Sequence, residues 1–108
     1  MKERFSALQI SKVIDQALIY QCACPAQVCK AIFELRDLHA YQVGCGGDAA
    51  NDREVHDTIA LATEQAHALM EVCLHDVLVI EGWDLVSFTM PDGLRKKLLN
   101  ALDDLTFR

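Results

Sequence analysis

The residues with the clearest potential for chemistry are cysteines. Three of the five cysteines lie within eight residues, at Cys22, Cys24 and Cys29. Thiolates bind soft and borderline metals, and four of them make a closed tetrahedral zinc site. Cys73 is the fourth candidate ligand, provided that its helix passes this segment, and Cys45 on a glycine-rich loop is the more mobile alternative. The pattern therefore predicts a site for zinc or another thiophilic metal.

Two other interpretations of the same cysteines stay open. The Cys-x-Cys-x4-Cys spacing is not that of a zinc ribbon or a ferredoxin, and free cysteines often serve as small core residues. In that case the chain is an interaction or structural module. Alternatively, Cys24 directly precedes Pro25 at the start of a helix, where the helix dipole favours the thiolate. A redox protein would then use Cys24 as the activated thiol and Cys22 or Cys29 as the resolving one.

A second group of candidate ligands contains carboxylates and histidines. Glu64 and His67 are three residues apart, so they share one side of a helix. This Glu-x-x-His unit, with Glu34 from a facing helix, resembles half of a ferritin-like di-iron site. The resemblance implies a site that a second copy of the chain completes. Helix phase opposes it, since Glu71 and His75 extend the same polar side, which lies opposite the apolar stripe and is expected to face solvent.

Other functional classes have less support. The chain has no nucleophile elbow, no Ser/His/Asp order and no dinucleotide-binding fingerprint, so whether it is an enzyme stays open. The glycine-rich stretch 44–51 lacks the phosphate-loop pattern and is interpreted as a helix–helix connection. Ten basic and sixteen acidic residues give a net charge of −6, with no basic stripe for nucleic acid.

The candidate ligands have to be positioned by helices, and the first two are well marked. Ser6 and Gln9 form a capping box that begins a helix running to about residue 21. Pro25 ends that helix and begins a second one, which Gly44 closes as C-cap. The predicted buried residues are Ile10, Val13, Ile14, Ala17 and Leu18 in the first helix, and Val28, Ile32, Leu35 and His39 in the second.

The third helix is the longest, from about 52 to 81, with Gly82 as its stop. Its predicted buried stripe contains Val55, Ile59, Ala62, Ala66, Leu69, Met70, Cys73, Val77 and Ile80. A thinner apolar line runs along another side, which suggests a neighbouring subunit. Residues 82–91 are expected to cross over and pack Trp83 and Phe88 on the helices. Thr89 then caps a last helix, whose buried face is Leu94, Leu98, Ala101, Leu102 and Leu105.

Together these features predict an all-α protein, a single domain over residues 1–108. We expect an up-and-down bundle of four helices, completed by dimerisation through the third. No apolar segment approaches the length that spans a bilayer, and no signal-peptide pattern is present. The expectation is therefore a small cytoplasmic protein with reduced cysteines that binds a metal through them or serves as an interaction module.

Overall fold

The computed structural model describes residues 1–20, 23–45 and 50–94. It contains three long helices: α1 (Ala7–Ile19), α2 (Ala23–Gly44) and α3 (Ala50–Glu81). Within these ranges there is no strand, only an isolated bridge between Asp84 and Thr89, so the all-α prediction is confirmed. Residues 92–94 are helical, and the rest of the predicted last helix lies outside the described residues, as does Cys22.

The start of α1 follows the predicted capping box. The Gln9 N–H donates to Ser6 Oγ at 3.1 Å, and the Ser6 N–H donates to Gln9 Oε1 at 2.9 Å. Two backbone donors that the helix itself cannot satisfy are thereby paired. The buried face contains Ile10, Val13 and Ala17. Leu18 was predicted to join it and is 67 % exposed, because it is rotated by about 100° from Ala17.

The second helix begins two residues earlier than predicted. Because α2 starts at Ala23, Cys24 and Pro25 lie in its first turn, and the prediction that the helix begins at Pro25 is wrong by two residues. A proline is tolerated there because first-turn N–H groups have no intrahelical acceptor. Gly44 is the last residue of α2 and does not adopt the left-handed conformation of a C-cap.

The end of α3 is as predicted. Gly82 has a φ of 78°, which residues with a Cβ rarely adopt. The Trp83 N–H then donates to the Leu78 carbonyl at 2.9 Å and so satisfies one of the last helical acceptors. Gly82 therefore ends α3 and directs residues 83–91 back toward the helices.

The crossover after α3 packs as expected. Trp83, Phe88 and Met90 are all buried. The Phe88 ring lies edge-on to the Phe5 ring, with their centroids 6.0 Å apart and an interplanar angle of 82°. The segment that precedes α1 and the segment that follows α3 thus share one core.

The helices pack in chain order, α1 on α2 and α2 along α3. The side-chain bonds between α2 and α3 show that these two helices are antiparallel, because they join Arg36 to Glu71, His39 to Glu64 and Gln42 to His56. The radius of gyration is 17.9 Å, against about 13 Å for a compact domain of this size. Within the described residues, no helix combines the length and hydropathy needed to cross a membrane.

Candidate functional site

The buried side of α3 is the side that was predicted to be polar and solvated. Its buried residues are Thr63, His67, Glu71, Leu74 and Leu78. The predicted stripe is divided: Leu69 is 69 % exposed and Ile80 is 83 % exposed, whereas Met70 packs against the core. Four further members are half-buried, namely Ile59, Ala66, Cys73 and Val77. The prediction that Glu71 and His67 face solvent is therefore wrong, and so is the assignment of Leu69 and Ile80 to the core.

Two features explain this orientation. Leu74 and Leu78 lie on the same side of α3 as His67 and Glu71, so this side contributes apolar area as well as polar atoms. In addition, α2 supplies Arg36 directly opposite the two polar groups. Burying polar and charged groups is costly unless they are paired. Here Arg36 bonds to both His67 and Glu71, while Arg36 Nη1 and His67 Nδ1 have only a carboxylate oxygen at 3.5 Å and no hydrogen-bond partner.

Arg36 is the centre of a network that joins three parts of the chain. Its side chain is only 12 % exposed. Nε donates to His67 Nε2 at 2.9 Å, while Nη2 donates to the Phe5 carbonyl at 2.6 Å and to Glu71 Oε2 at 3.3 Å. Nη1 lies 3.5 Å from the Glu3 carboxylate. One guanidinium therefore connects α2 to α3 and to the segment before α1.

The Glu71 carboxylate of α3 also bonds both to α2 and to the segment before α1. Its Oε2 accepts the backbone N–H of Arg4 at 2.7 Å and that of Phe5 at 3.0 Å, in addition to the bond from Arg36. Hydrogen bonds to an ionised acceptor are about twice as strong as neutral ones. Glu71 thus holds residues 4 and 5 in the position from which Ser6 begins α1.

The geometry also defines the protonation state of His67. Because Nε2 accepts a hydrogen bond from Arg36, the neutral ring carries its proton on Nδ1, which lies 3.5 Å from Glu71 Oε1. Burial lowers the pKa of His67, and the Arg36 charge lowers it further against the opposing effect of Glu71. The ring is fully buried, so a substrate has no access to either nitrogen.

The carboxylate–histidine metal prediction does not match this arrangement. Glu34 is exposed, and Glu64 bonds to His39 at 3.0 Å near the surface. The cation beside His67 is the Arg36 guanidinium. Among residues 1–20, 23–45 and 50–94, no three His, Cys, Asp or Glu side chains form a group that could hold a metal ion.

The candidate cysteine ligands that the structure describes differ in their exposure to solvent. Cys24 is exposed, Cys29 is buried in the core and Cys73 is half-buried on α3. Burial raises the pKa of Cys29 to about 12, so at neutral pH the metal-free chain carries it as a thiol. Because Cys22 lies outside the described residues, the four-cysteine site stays a prediction.

A cavity of about 230 Å³ lies at the end of the α2–α3 pair. Cys45, Arg53 and His56 are among its lining residues. His56, for which the sequence indicated no partner, has Nδ1 2.6 Å from Gln42 Oε1. Since an amide oxygen only accepts, Nδ1 carries the proton.

The outer side of α3 carries the largest set of exposed apolar side chains on one element. We call this set the outward stripe; each member is between 45 % and 83 % exposed, and the members are Val55, Leu61, Leu69, Val72, Val79 and Ile80. Together they expose on the order of 600 Å² of side-chain surface, which is as large as the largest apolar patch of a typical monomer. A patch of this size indicates an interaction surface.

Arg36, the centre of the buried network, was not among the residues singled out from the sequence. It lies on the inward side of α2, four residues after the buried Ile32 and three before His39. A cation at such a position requires an acidic partner from another helix, and α3 contains Glu71 on the side with Leu74. The inward position of Arg36 could be seen in the sequence, but its acidic partner Glu71 lies 35 residues away.

The chain has no significant match to a protein-family model, to a curated protein or to a solved structure. Its own geometry defines the class: an all-α protein with a buried ion network between helices and an apolar helix face turned outward.

Proposed function

We propose that this chain is a small helical protein–protein interaction module that docks through the outward stripe. The observation that carries the proposal is the orientation of α3, which buries His67 and Glu71 while it exposes Leu69 and Ile80. Scattered single apolar residues are normal on a surface. A row of them along one helix is typical of a face that another protein covers.

The buried network supports this interpretation because it makes the orientation specific. A rotation of α3 that brought Leu69 inward would leave Glu71 and Arg36 without each other. Separating a buried ion pair costs about 3–5 kcal/mol. The ion pair therefore keeps the outward stripe on the surface of the folded monomer, where a partner can contact it.

In this proposal the cysteines pack and do not react. Cys29 belongs to the core with Ile32, and its raised pKa keeps the thiol protonated. We likewise propose that the helices form an up-and-down bundle. One equivalent of zinc in the chain purified without added metal would contradict the role given to the cysteines, and elemental analysis measures it.

The test compares the same substitution on the two sides of α3. Leu74 is fully buried, so Leu74→Ala is expected to cost about 2–5 kcal/mol of unfolding free energy. Leu69→Ala, five residues earlier on the outer side, is expected to change it by less than about 0.5 kcal/mol. Urea unfolding at sub-micromolar protein, where association is negligible, measures both values.

The two variants serve as controls for each other, since they share the helix, the residue type and the atoms removed. If Leu69→Ala lowered the stability of the dilute protein as much as Leu74→Ala does, Leu69 would belong to the core of the monomer. The outward stripe would then not be a docking surface, and the proposed function would be wrong.

A further inference from the structure

We infer that the partner of the outward stripe is a second copy of this chain, packed with its α3 antiparallel to the first. This inference rests on the proposed function and specifies the partner. It follows from three properties of α3: the spacing of one line of exposed residues, the position of the one charged residue in that line, and the area that the outward stripe exposes.

The spacing is that of a two-helix contact line. Consecutive members of the line are alternately three and four residues apart, which is the repeat with which one helix packs along another. The line contains positions 55, 58, 62, 65, 69, 72, 76 and 79. All eight are exposed, and the residues are Val55, Thr58, Ala62, Gln65, Leu69, Val72, Asp76 and Val79. The line spans 24 residues, which corresponds to about 36 Å of helix. A straight helix of the same kind is the shape that fits it.

The charge pattern selects the direction of the partner. In a parallel, in-register pair, Asp76 would face Asp76 of the partner subunit, and like charges at an apolar contact are destabilising. In an antiparallel pair with its two-fold axis at residue 67, Asp76 instead faces Thr58 of the partner subunit, which is uncharged. The same axis places Val55 against Val79 of the partner subunit and Ala62 against Val72 of the partner subunit.

The exposed area is sufficient for a stable dimer. Because each copy contributes on the order of 600 Å², an isologous pair removes on the order of 1,200 Å² from water, the lower bound of standard stable interfaces. Leu61 and Ile80 flank the line and extend it on both sides. Asp76 is the one charged residue of the line, and its own chain supplies a polar partner, His75 Nδ1 at 3.2 Å from Asp76 Oδ1.

A disulfide test distinguishes the two directions. In the full-length double variant Val55→Cys/Val79→Cys, the new thiols of one chain are about 36 Å apart, so they cannot pair within it. The antiparallel dimer gives peptides that link position 55 to position 79 after mild oxidation, and mass spectrometry identifies them. Links of 55 to 55 and of 79 to 79 would instead demonstrate the parallel dimer and overturn the inference.

Sedimentation equilibrium of the unmodified chain tests the second copy itself. We expect a dimer at tens of micromolar, and Leu69→Glu should weaken it by on the order of 30-fold or more because it places a carboxylate in the contact line. Gln27→Glu adds the same charge to an exposed position of α2 and should leave the dimer unchanged.

The outcomes separate this inference from the proposed function. A chain that stays monomeric at hundreds of micromolar, with Leu69→Ala neutral in the dilute protein, overturns the second copy and leaves a different protein as the partner. A destabilising Leu69→Ala in the dilute protein overturns both, because the outward stripe would then be core.

Discussion

Arg36 determines how three separate parts of this chain meet. Its guanidinium bonds to His67 and Glu71 on α3 and to the Phe5 carbonyl before α1. Ion pairs in the interior contribute little net stability compared with apolar residues of the same shape, but the loss of one partner is costly. The network therefore acts mainly on specificity: it selects the side of α3 that faces α2.

At the residue scale we predict a large difference between two carboxylates of α3. Glu71→Ala leaves Arg36 without its buried partner and two backbone N–H groups without an acceptor, so it should lower the unfolding free energy by about 3–5 kcal/mol. Glu64→Ala removes an exposed carboxylate bonded to His39 and should cost about 0–1 kcal/mol. Urea unfolding of both variants measures the difference, and equal costs would show that the buried network does not hold α3.

Residues that act on near neighbours were predictable from the sequence. Ser6 and Gln9 bond to each other across three residues, so the pattern contains the whole interaction. Arg36 was not predicted because its partners lie 31 to 35 residues away. Sequence spacing alone does not reveal which helix faces a given position.

At the element scale, α3 has two faces that could each be buried. One combines Leu74 and Leu78 with His67 and Glu71, and the other is the outward stripe. Apolar periodicity favours a stripe that contains Leu69 and Ile80, and for these two residues the predicted core of α3 was wrong. The pairing with α2 outweighs periodicity, because only the polar face provides a partner for Arg36.

The ends of the helices provide a second prediction at this scale. Gly82 has a φ of 78°, so Gly82→Ala should cost about 1–2 kcal/mol. The cost is conformational, since an added Cβ would meet its nearest atom, Pro91 Cγ, at an ordinary distance of 3.8 Å. Gly44→Ala is the matched control: Gly44 is helical with open space around it, so alanine should be neutral or stabilise by up to about 1 kcal/mol. Thermal unfolding measures both, and a stabilising Gly82→Ala would contradict the left-handed stop of α3.

At the scale of the whole molecule, the exposed surface of α3 favours association of two copies and the net charge opposes it. The structure measures 62 × 29 × 19 Å, and the outward stripe of α3 is exposed within it. Each chain also has a net charge of −6, so two copies repel each other at long range. Association through the outward stripe has to exceed this repulsion.

The balance predicts a salt dependence for the dimer inferred above. Salt screens the repulsion between two chains of charge −6 and leaves the apolar contact intact, so the dissociation constant should fall as sodium chloride increases. Sedimentation equilibrium across a salt series measures it, with Leu69→Glu as a control for non-specific association. A dissociation constant that rises with salt would indicate an interface of charge pairs and would argue against the outward stripe.

The sequence by itself determined the all-α class, the capping box of α1, the stop of α3 at Gly82 and the packing of Trp83 and Phe88. These features depend on local hydrogen bonding, on glycine's backbone freedom and on the burial of large aromatic rings. Only the tertiary structure decided which face of α3 is inside. That choice depends on the pairing of Arg36 with Glu71, and no local pattern of residues contains the energy of an ion pair between two helices.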